Sequence, residues 1–352
     1  MNFSFISPSS TSIPSGNTTT RFTSPGAPFL EVWYALFLFV LSLNYIGNFL
    51  VMLVIIADKK FHSAMNFLFA NMAFSDFLSG VFSLFWYLVN KVTPEWRSEF
   101  VCRVVAANSF TVLSGFVSIF TLTAITLERY NAVVKPLEAR MSWLRFKLVL
   151  LLIWAMAVLF SSPYFIFIDF IGSDEKTNGI CMYVLEPGWR RQMLTTTVFV
   201  FTYMCPNVVI CVVYLKIVKH LWFKKENISM KESHQALLRS RKKITELLGS
   251  ILIVFNLCMF PNFVADFMLS FGLVGYGNKF SHIVFLVQLV STCVNPFIFF
   301  IQSIQFRQRL MNLLCCRTQK LNRWSTFRGT AMSLNYNRSL YNSQPRRASH
   351  VV

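Results

Sequence analysis

The triplet Glu128-Arg129-Tyr130 follows the third long apolar stretch of the chain, residues 104–127. A carboxylate beside a guanidinium at the end of a membrane-spanning helix is tolerated only where water or protein groups receive the charge, since an ion at the bilayer centre costs at least ~2.5–3.5 kcal/mol. Two interpretations stay open. The pair is an ordinary helix end at the lipid surface, or it is a switch in which Glu128 restrains Arg129 until the helices move apart.

A second group of residues with chemical potential lies inside the apolar stretches. Asp76 is a carboxylate near the middle of one of them, where an uncompensated charge is costly. Polar groups and prolines at similar depth indicate a hydrated internal network and helices that can bend. These residues are Asn48, Asn71, Trp154, Pro163, Pro206, Pro261, Asn295 and Pro296.

The sequence offers no support for an enzyme. Five histidines stand at positions 62, 220, 234, 282 and 350, without the spacing of a metal site and without a nucleophile–base pair. We therefore predict neither catalytic residues nor a cofactor.

The composition is that of a protein that crosses a membrane several times. Of 352 residues 55% are hydrophobic and 14% are charged, and the mean hydropathy is +0.51. A spanning helix needs about 20 apolar residues. Seven segments meet this length, so we predict an all-α membrane protein with a seven-transmembrane helix bundle over residues 30–303. The segments are 30–57, 66–90, 104–127, 147–170, 194–218, 244–271 and 281–303.

Basic residues are distributed unevenly between the two sides of this bundle. The segments on one side carry 25 of the 33 Lys and Arg residues, and those on the other side carry 8. The positive-inside rule places the richer side in the cytoplasm and the N-terminus outside the cell. The net charge of +18 then points to contact with anionic membrane lipids rather than with nucleic acid. We expect a multi-pass protein of the plasma membrane.

The two ends of the chain differ from its centre. Residues 1–29 are rich in Ser, Thr and Pro and predict a disordered extracellular arm. Its sequons at Asn2 and Asn17 indicate glycosylation, although such triplets also arise by chance. Residues 304–316 predict a short amphipathic eighth helix on the membrane surface. At its end Cys315 and Cys316 are either palmitoylated or free thiols. Residues 317–352 predict a disordered cytoplasmic tail.

Several motifs occur in order, one or two to a span. They are Gly47-Asn48, the segment from Asn71 to Asp76, Cys102, Glu128-Arg129-Tyr130, Trp154, Cys181, Pro206 with Tyr214, Phe255 with Cys258 and Pro261, and Asn295-Pro296. In this combination the chain resembles the rhodopsin-like (class A) G-protein-coupled receptors over roughly residues 30–316. The resemblance implies that an extracellular ligand activates a heterotrimeric G protein. Arrestin and receptor kinases are further partners that it implies.

The resemblance also assigns roles inside the bundle. It implies that a polar cage around Asp76 holds sodium, for which oxygen ligands are suited; a protonated or water-solvated aspartate is the alternative. The other cage positions are Ser114, Ser118, Ser291, Thr292 and Asn295. The resemblance also implies a packed core that couples the ligand to the sixth helix, at Ile119, Pro206 and Phe255, with Met259 and Pro261 nearby. An ordinary apolar contact is equally consistent with these residue types. Arg129 and Tyr214 would line the inner cleft that receives the G protein.

The chain departs from the family pattern at four positions. Met259 stands where many members have tryptophan, and Phe299 replaces the tyrosine of the Asn-Pro-x-x-Tyr motif. Arg241 takes the place of an acid that pairs with Arg129 in some members, so we predict weaker restraint and some basal signalling. Cys102 lies about two residues further from Arg129 than is usual. The resemblance still implies a Cys102–Cys181 disulfide, and these are the cysteines on the predicted outer side.

The ligand class is argued from the outer halves of the spans. Thr111 stands where amine receptors have aspartate, and the seventh span has no lysine for a retinal Schiff base. Asp266 would meet a basic group, or it is a solvated rim charge. We therefore expect a peptide, with a non-peptide small molecule as the alternative and a transporter or channel as the rival class. The candidate wall is Trp86, Tyr87, Asn108, Thr111, Tyr183, Asn262, Asp266, His282 and Phe285.

Overall fold

The computed structural model describes residues 27–91, 99–101, 103, 109–135, 141–171, 180–183, 185, 188–222, 232–273 and 279–315. Seven helices in these ranges are long and apolar enough to cross a membrane, which confirms the predicted fold class. They are α1 (Ala27–Ala57), α2 (Ala64–Lys91), α3 (Ser109–Val134), α4 (Trp143–Ile166), α5 (Trp189–Trp222), α6 (Glu232–Ser270) and α7 (Lys279–Gln302). An eighth helix, α8 (Ile304–Cys315), follows α7 and matches the predicted short helix.

Helix α3 lies at the centre of the bundle. Of its most apolar window 61% is buried, against 17% for α4. It packs against α2, α4 and α5, whereas α1 packs against α2 and α7, and α6 packs against α7. Leu144, Leu151 and Leu152 of α4 are exposed over more than half of their surface. Since the bilayer accepts such side chains without cost, this face of α4 is directed toward lipid.

Helix α5 changes its hydrogen-bonding pattern at its middle. A π-helical turn, Val200–Met204, separates the segments Trp189–Phe199 and Cys205–Trp222. The N–H of Cys205 donates to the carbonyl of Val200, five residues back. Pro206 follows directly, and it has no N–H to continue an ordinary ladder. The turn therefore brings a buried proline into the bundle without ending the helix.

Three predicted boundaries were wrong. Helix α3 does not end at Leu127 but continues to Val134, so Glu128-Arg129-Tyr130 lies inside it. Helix α4 begins at Trp143, where Ser142 accepts a hydrogen bond from the N–H of Arg145 as the cap. In α6 the helix begins at Glu232, within the segment predicted as an inner loop. In each case charged residues stop the apolar pattern, but they do not stop the backbone hydrogen bonds of the helix.

The extracellular loop after α4 contains a feature that the sequence did not predict. Strands β1 (Ile168–Ile171) and β2 (Ile180–Tyr183) pair as an antiparallel hairpin, with Phe170 opposite Cys181. Ile168 also accepts a hydrogen bond from Arg103 through its backbone carbonyl, at 3.2 Å. This contact ties the hairpin to the segment that precedes α3.

Several predictions fall outside the described residues. The sequons at Asn2 and Asn17, Cys102, Asn108, Cys316 and the tail from residue 317 lie there. Cys181 and Cys315 are described only as parts of β2 and α8. The disulfide, the glycosylation and the palmitoylation therefore stay predictions. Cys205, Cys211, Cys258 and Cys293, which the sequence placed within the spans, are free thiols.

Candidate functional site

The carboxylate of Asp76 is the centre of a buried polar network. Ser114 and Ser118 of α3 donate to its Oδ1 at 3.2 and 3.0 Å. Asn295 of α7 donates to its Oδ2 at 3.1 Å. The side chain of Asp76 is 1% exposed, so these hydrogen bonds compensate a carboxylate that water does not reach. Three of the five other residues predicted for the cage thus surround Asp76 through direct contacts.

The remaining two predicted members point elsewhere. The hydroxyl of Ser291 donates to the carbonyl of Gln288 at 2.6 Å. The hydroxyl of Thr292 donates to Leu289 at 2.7 Å and accepts from Asn44 of α1, also at 2.7 Å. Both hydroxyls donate to backbone carbonyls three residues earlier in α7, a usual arrangement for Ser and Thr within helices.

Asn44 belongs to this network, although the sequence analysis missed it. Its Nδ2 donates to the carbonyl of Asp76 at 3.1 Å as well as to Thr292. Asn48, one turn further along α1, donates to the carbonyls of Asn44 and Thr292 at 3.0 and 2.9 Å. The signal that would have identified Asn44 is its spacing, since it lies four residues before Asn48 on the same face of the helix.

Three buried oxygens of α1 and α2 make no hydrogen bond to another described residue. They are Asn44 Oδ1, Asn48 Oδ1 and Ser79 Oγ. Such groups are costly unless water or an ion satisfies them. The carboxylate of Asp76 and the hydroxyls of Ser114 and Ser118, which are in direct contact, provide oxygen ligands of the kind that suits a hard cation such as sodium. The residues present fit the predicted ion.

A second polar link joins α2, α3 and α4 further toward the inner end. Asn71 donates to Thr121 Oγ1 at 3.0 Å and accepts from Trp154 Nε1 at 2.9 Å. Both hydrogen-bonding groups of one amide are used. The side chains of two sequence motifs, Asn71 and Trp154, therefore brace the helices that carry the network.

A cleft opens among the helices at the outer half of the bundle. The cleft is narrow, with room for about one water molecule, and the empty space reaches about 340 Å³ only when the open solvent at its mouth is included. Asn262 and Asp266 of α6, both predicted for the ligand wall, line it. Ile119, Phe255 and Met259 of the predicted activation core also line it. The remaining lining residues are Val112, Gly115, Phe116, Tyr164, Thr202, Tyr203, Phe263 and Gln288.

Met259 packs closely on the backbone of α3. A Cβ at Gly115 would lie 2.9 Å from Met259 Cε, and Met259 is 4% exposed. Methionine is flexible enough to fill such an irregular space. At the floor of the cleft, the unbranched side chain of Met259 thus fills the space beside a glycine, Gly115.

Three predicted wall residues belong to an aromatic cluster at α1, α2 and α7 instead of lining this cleft. Trp33 donates its Nε1 to the carbonyl of His282 at 2.9 Å, and the two rings meet edge to face. Phe37 packs against Tyr87 and Phe285, with ring centroids 5.7 and 6.1 Å apart. These contacts place Tyr87, His282 and Phe285 in a packed cluster that joins the outer ends of the helices.

The other predicted wall residues have different positions. Thr111 is buried and shares a hydrogen bond of 3.1 Å with Ser83 of α2. Trp86 and Tyr183 lie within α2 and β2, and their side chains are not described. Of the predicted wall residues whose side chains the structure describes, Asn262 and Asp266 line the cleft.

At the inner end, Arg129 is largely enclosed by protein. Its Nε is buried and makes no hydrogen bond to the described residues. Glu128 and Arg241 are the charged residues that act on it, with opposite effects. Tyr130 packs with Val133 and Ile217 at the contact of α3 with α5. The guanidinium of Arg129 is therefore enclosed with one N–H donor that no described residue accepts.

Two aromatic residues hold the neighbouring helices. Tyr214 of α5 donates its hydroxyl to the carbonyl of Thr245 in α6 at 3.1 Å. A Cβ on Gly249 would overlap this hydroxyl, so only glycine leaves the space it occupies. Phe299 of α7 is 8% exposed and meets Phe69 of α2 edge to face, with centroids 4.5 Å apart. The absence of a hydroxyl at residue 299 is thus matched by an apolar neighbour.

The chain is similar to known receptors over most of its length. A family model described as "7 transmembrane receptor (rhodopsin family)" matches residues 47–299. Galanin receptor 2b of Danio rerio is 25% identical over 311 residues, which cover 85% of this chain and 78% of that protein. The Substance-K receptor of Mus musculus is 27% identical over 307 residues, with 84% and 79% covered. The Neuromedin-K receptor of Rattus norvegicus is 25% identical over 312 residues, with 85% and 67% covered.

The matched region runs from Gly47 in α1 to Phe299 in α7 and so includes Asp76, Ser114, Ser118 and Asn295, as well as the cleft and Arg129. The chain belongs to the rhodopsin family of seven-transmembrane receptors.

Proposed function

We propose that this plasma-membrane receptor binds an extracellular peptide in the cleft of α3, α5, α6 and α7 and thereby activates a heterotrimeric G protein. The observation that carries the proposal is the composition of the cleft, in which the polar groups of Asn262, Asp266 and Gln288 stand beside aromatic walls. A site of this kind binds a ligand through apolar contacts and a few oriented polar groups. The relatives named as receptors for galanin and substance K, which are peptide messengers, support the same class.

The signal would pass from the cleft to the inner end along α3. Ile119 and Met259 lie at the floor of the cleft. Ser118, the neighbour of Ile119 in the chain, donates to Asp76. Eleven residues after Ser118, the same helix carries Arg129. A ligand shifts this system only to the extent that it binds the open bundle more tightly than the closed one.

The polar network would hold sodium in the closed receptor. Asp76, Ser114 and Ser118 supply the ligands that we expect to contact the ion, and Asn295 orients the carboxylate. The ion would supply positive charge that keeps the carboxylate of Asp76 ionised. The residues of α1, namely Asn44 and Asn48, would bind water or the ion through their unsatisfied oxygens.

The inner end would receive the G protein when α6 moves outward. This movement separates Tyr214 from Thr245 and opens the space beside Arg129. A helix of the Gα subunit then binds in the groove. Arrestin and receptor kinases are proposed as partners of the same inner face.

Nucleotide exchange tests this function most simply. Cell membranes that contain the receptor and a G protein are exposed to libraries of peptides, and GTPγS binding to Gα is measured. We expect at least one peptide pool to raise the exchange rate in a manner that depends on the receptor. Potent activation by a monoamine, with no response to peptides, would overturn the peptide assignment. Substrate-dependent current or uptake without exchange would favour a transporter or channel.

A further inference from the structure

The described residues that line the cleft include negative charge but no positive charge. Among its described lining residues Asp266 is the only acid, and neither lysine nor arginine is present. The other strongly polar groups are the side-chain amides of Asn262 and Gln288. Each can present an oxygen to a ligand. The cleft therefore offers acceptors and a negative charge to whatever enters it.

The side-chain amides of Asn262 and Gln288 have no hydrogen-bonding partner in the part of the chain that the structure describes. Gln288 is 2% exposed, and it lies on α7 across from α6. The amide atoms are not fully enclosed by protein, so they face the open space of the cleft, where a ligand can donate to them.

Asp266 has capacity for further hydrogen bonds. It accepts the hydroxyl of Tyr164, which reaches from α4, at 3.2 Å. A carboxylate accepts about four hydrogen bonds, so this single neutral donor leaves most of its capacity available. Arg191 of α5 also acts on Asp266 electrostatically, while its Nη1 donates to the carbonyl of Leu185 at 3.4 Å. A cationic ligand would therefore share the carboxylate with Tyr164 and experience the field of Arg191.

Flat aromatic surfaces stand beside these acceptors. Tyr203 and Phe263 both line the cleft, and their ring centroids are 4.7 Å apart. An arginine guanidinium is planar, carries five donors and stacks on aromatic faces. An ammonium group is a compact, strongly hydrated charge that matches such a surface less well.

We propose that the cleft recognises a guanidinium group, delivered as an arginine side chain of the ligand. Asp266 binds it by charge-assisted hydrogen bonds, Asn262 and Gln288 accept its remaining donors, and Tyr203 and Phe263 contact its face. This inference rests on the proposed function, because a peptide is the ligand that carries such a side chain. It goes further in naming the side chain that occupies the cleft and the carboxylate that selects it.

A pair of small probes tests the inference on the purified receptor in lipid nanodiscs. Nα-acetyl-arginine amide carries the guanidinium, and Nα-acetyl-citrulline amide replaces it with a neutral urea of nearly the same shape. The thermal unfolding midpoint is measured as each concentration is raised. We expect the arginine probe to raise the unfolding midpoint in a saturable way. The affinity of the citrulline probe should be lower by a factor of about ten or more. Equal shifts, or no shift from either probe, would overturn the inference.

Variants then assign the effect to the cleft. Asp266→Asn should remove the preference for arginine, and Asp266→Glu should retain part of it. Glu31→Gln, which neutralises an exposed acid at the outer end of α1, serves as the matched control and should leave the preference intact. Arg191→Gln should strengthen arginine binding, because it removes a competing positive charge. A preference that persists in Asp266→Asn contradicts the assignment, and the comparison of probes on the unaltered receptor decides even if this variant does not fold.

These measurements are independent of signalling. If peptides stimulate nucleotide exchange but the two probes bind equally, the peptide-receptor function stands and the guanidinium site does not. If the arginine probe binds selectively but no peptide stimulates exchange, the site stands and the proposed function fails.

Discussion

The hydroxyl of Tyr214 in α5 donates to the backbone carbonyl of Thr245 in α6, 3.1 Å away, in a space that exists because residue 249 is glycine. The contact lies on the inner half of the bundle, where we propose that α6 moves outward to admit the G protein. Phe299 offers no hydroxyl that would receive Tyr214 in an open state. In the proposed mechanism the hydrogen bond from Tyr214 to Thr245 is lost when the receptor opens, and no hydroxyl at residue 299 replaces it.

Gly249→Ala should raise basal signalling. The new Cβ overlaps the hydroxyl of Tyr214, so the ring is displaced and the hydrogen bond to Thr245 is lost. A bond of this type contributes about 0.5–1.5 kcal/mol, which corresponds to a rise of about two- to tenfold in the open population. Agonist-free GTPγS exchange at matched surface expression measures it. Gly188→Ala is the control, because a Cβ there meets nothing within 4 Å; an unchanged basal rate in Gly249→Ala would contradict the role of this contact.

Arg241→Glu should lower basal signalling. It replaces a like charge that acts on Arg129 with an opposite one. Since an ion pair near the surface contributes only ~0.2–1 kcal/mol, the decrease is at most about fivefold. Basal output in a cell signalling assay measures it, with Lys243→Glu as a control that makes the same charge change at an exposed position of α6. Equal output from the parent and Arg241→Glu would count against restraint by this pair.

Asp76→Asn should abolish any dependence of basal exchange on sodium. The carboxylate is replaced by an amide, whose N–H₂ cannot bind a cation and would oppose the donors that now surround it. Exchange is compared in NaCl and in N-methylglucamine chloride at equal ionic strength. We expect sodium to suppress exchange by the parent and not by the variant. Ser83→Ala, on the same helix but bonded to Thr111, is the control; sodium suppression that survives in Asp76→Asn would place the ion elsewhere.

Met259→Trp should destabilise the receptor. Met259 already lies against the backbone at Gly115, so a larger side chain overpacks the floor of the cleft at a typical cost of about 1–3 kcal/mol. Met259→Leu keeps the volume and should cost less than about 1.5 kcal/mol. The thermal unfolding midpoints of the purified proteins distinguish them. A tryptophan variant as stable as the parent would show that the floor has space that the structure does not contain.

The seven spans and the Asp76 contacts were predictable because hydropathy and the order of motifs determine them. Asn44 was missed because its spacing of four residues from Asn48 was not used, and the spacing alone does not show that Asp76 and Thr292 are its partners. Tyr164 and Gln288 were missed because their place in the cleft depends on how α4 and α7 are rotated. Helix boundaries failed at Glu128 and at Glu232, where charged residues interrupt the apolar pattern while the backbone continues its hydrogen bonds.

The positions of the aromatic residues at the outer end of the bundle could not be predicted from residue types, because they depend on how the helices pack. His282 and Phe285 lie near the outer end of α7, where the sequence suggested a ligand wall. In the structure Trp33 donates a hydrogen bond to the backbone carbonyl of His282 and packs edge to face against its ring. Only the three-dimensional contact between α1 and α7 reveals this competing partner.

The central claim is that the enclosed guanidinium of Arg129 receives the G protein when α6 moves. Its most direct test is receptor-dependent GTPγS exchange by purified Gα, measured without agonist for Arg129→Ala in the parent and in the Gly249→Ala background, at equal amounts of folded receptor. The account predicts that Arg129→Ala removes the exchange in both. Exchange that continues undiminished without Arg129 would contradict it.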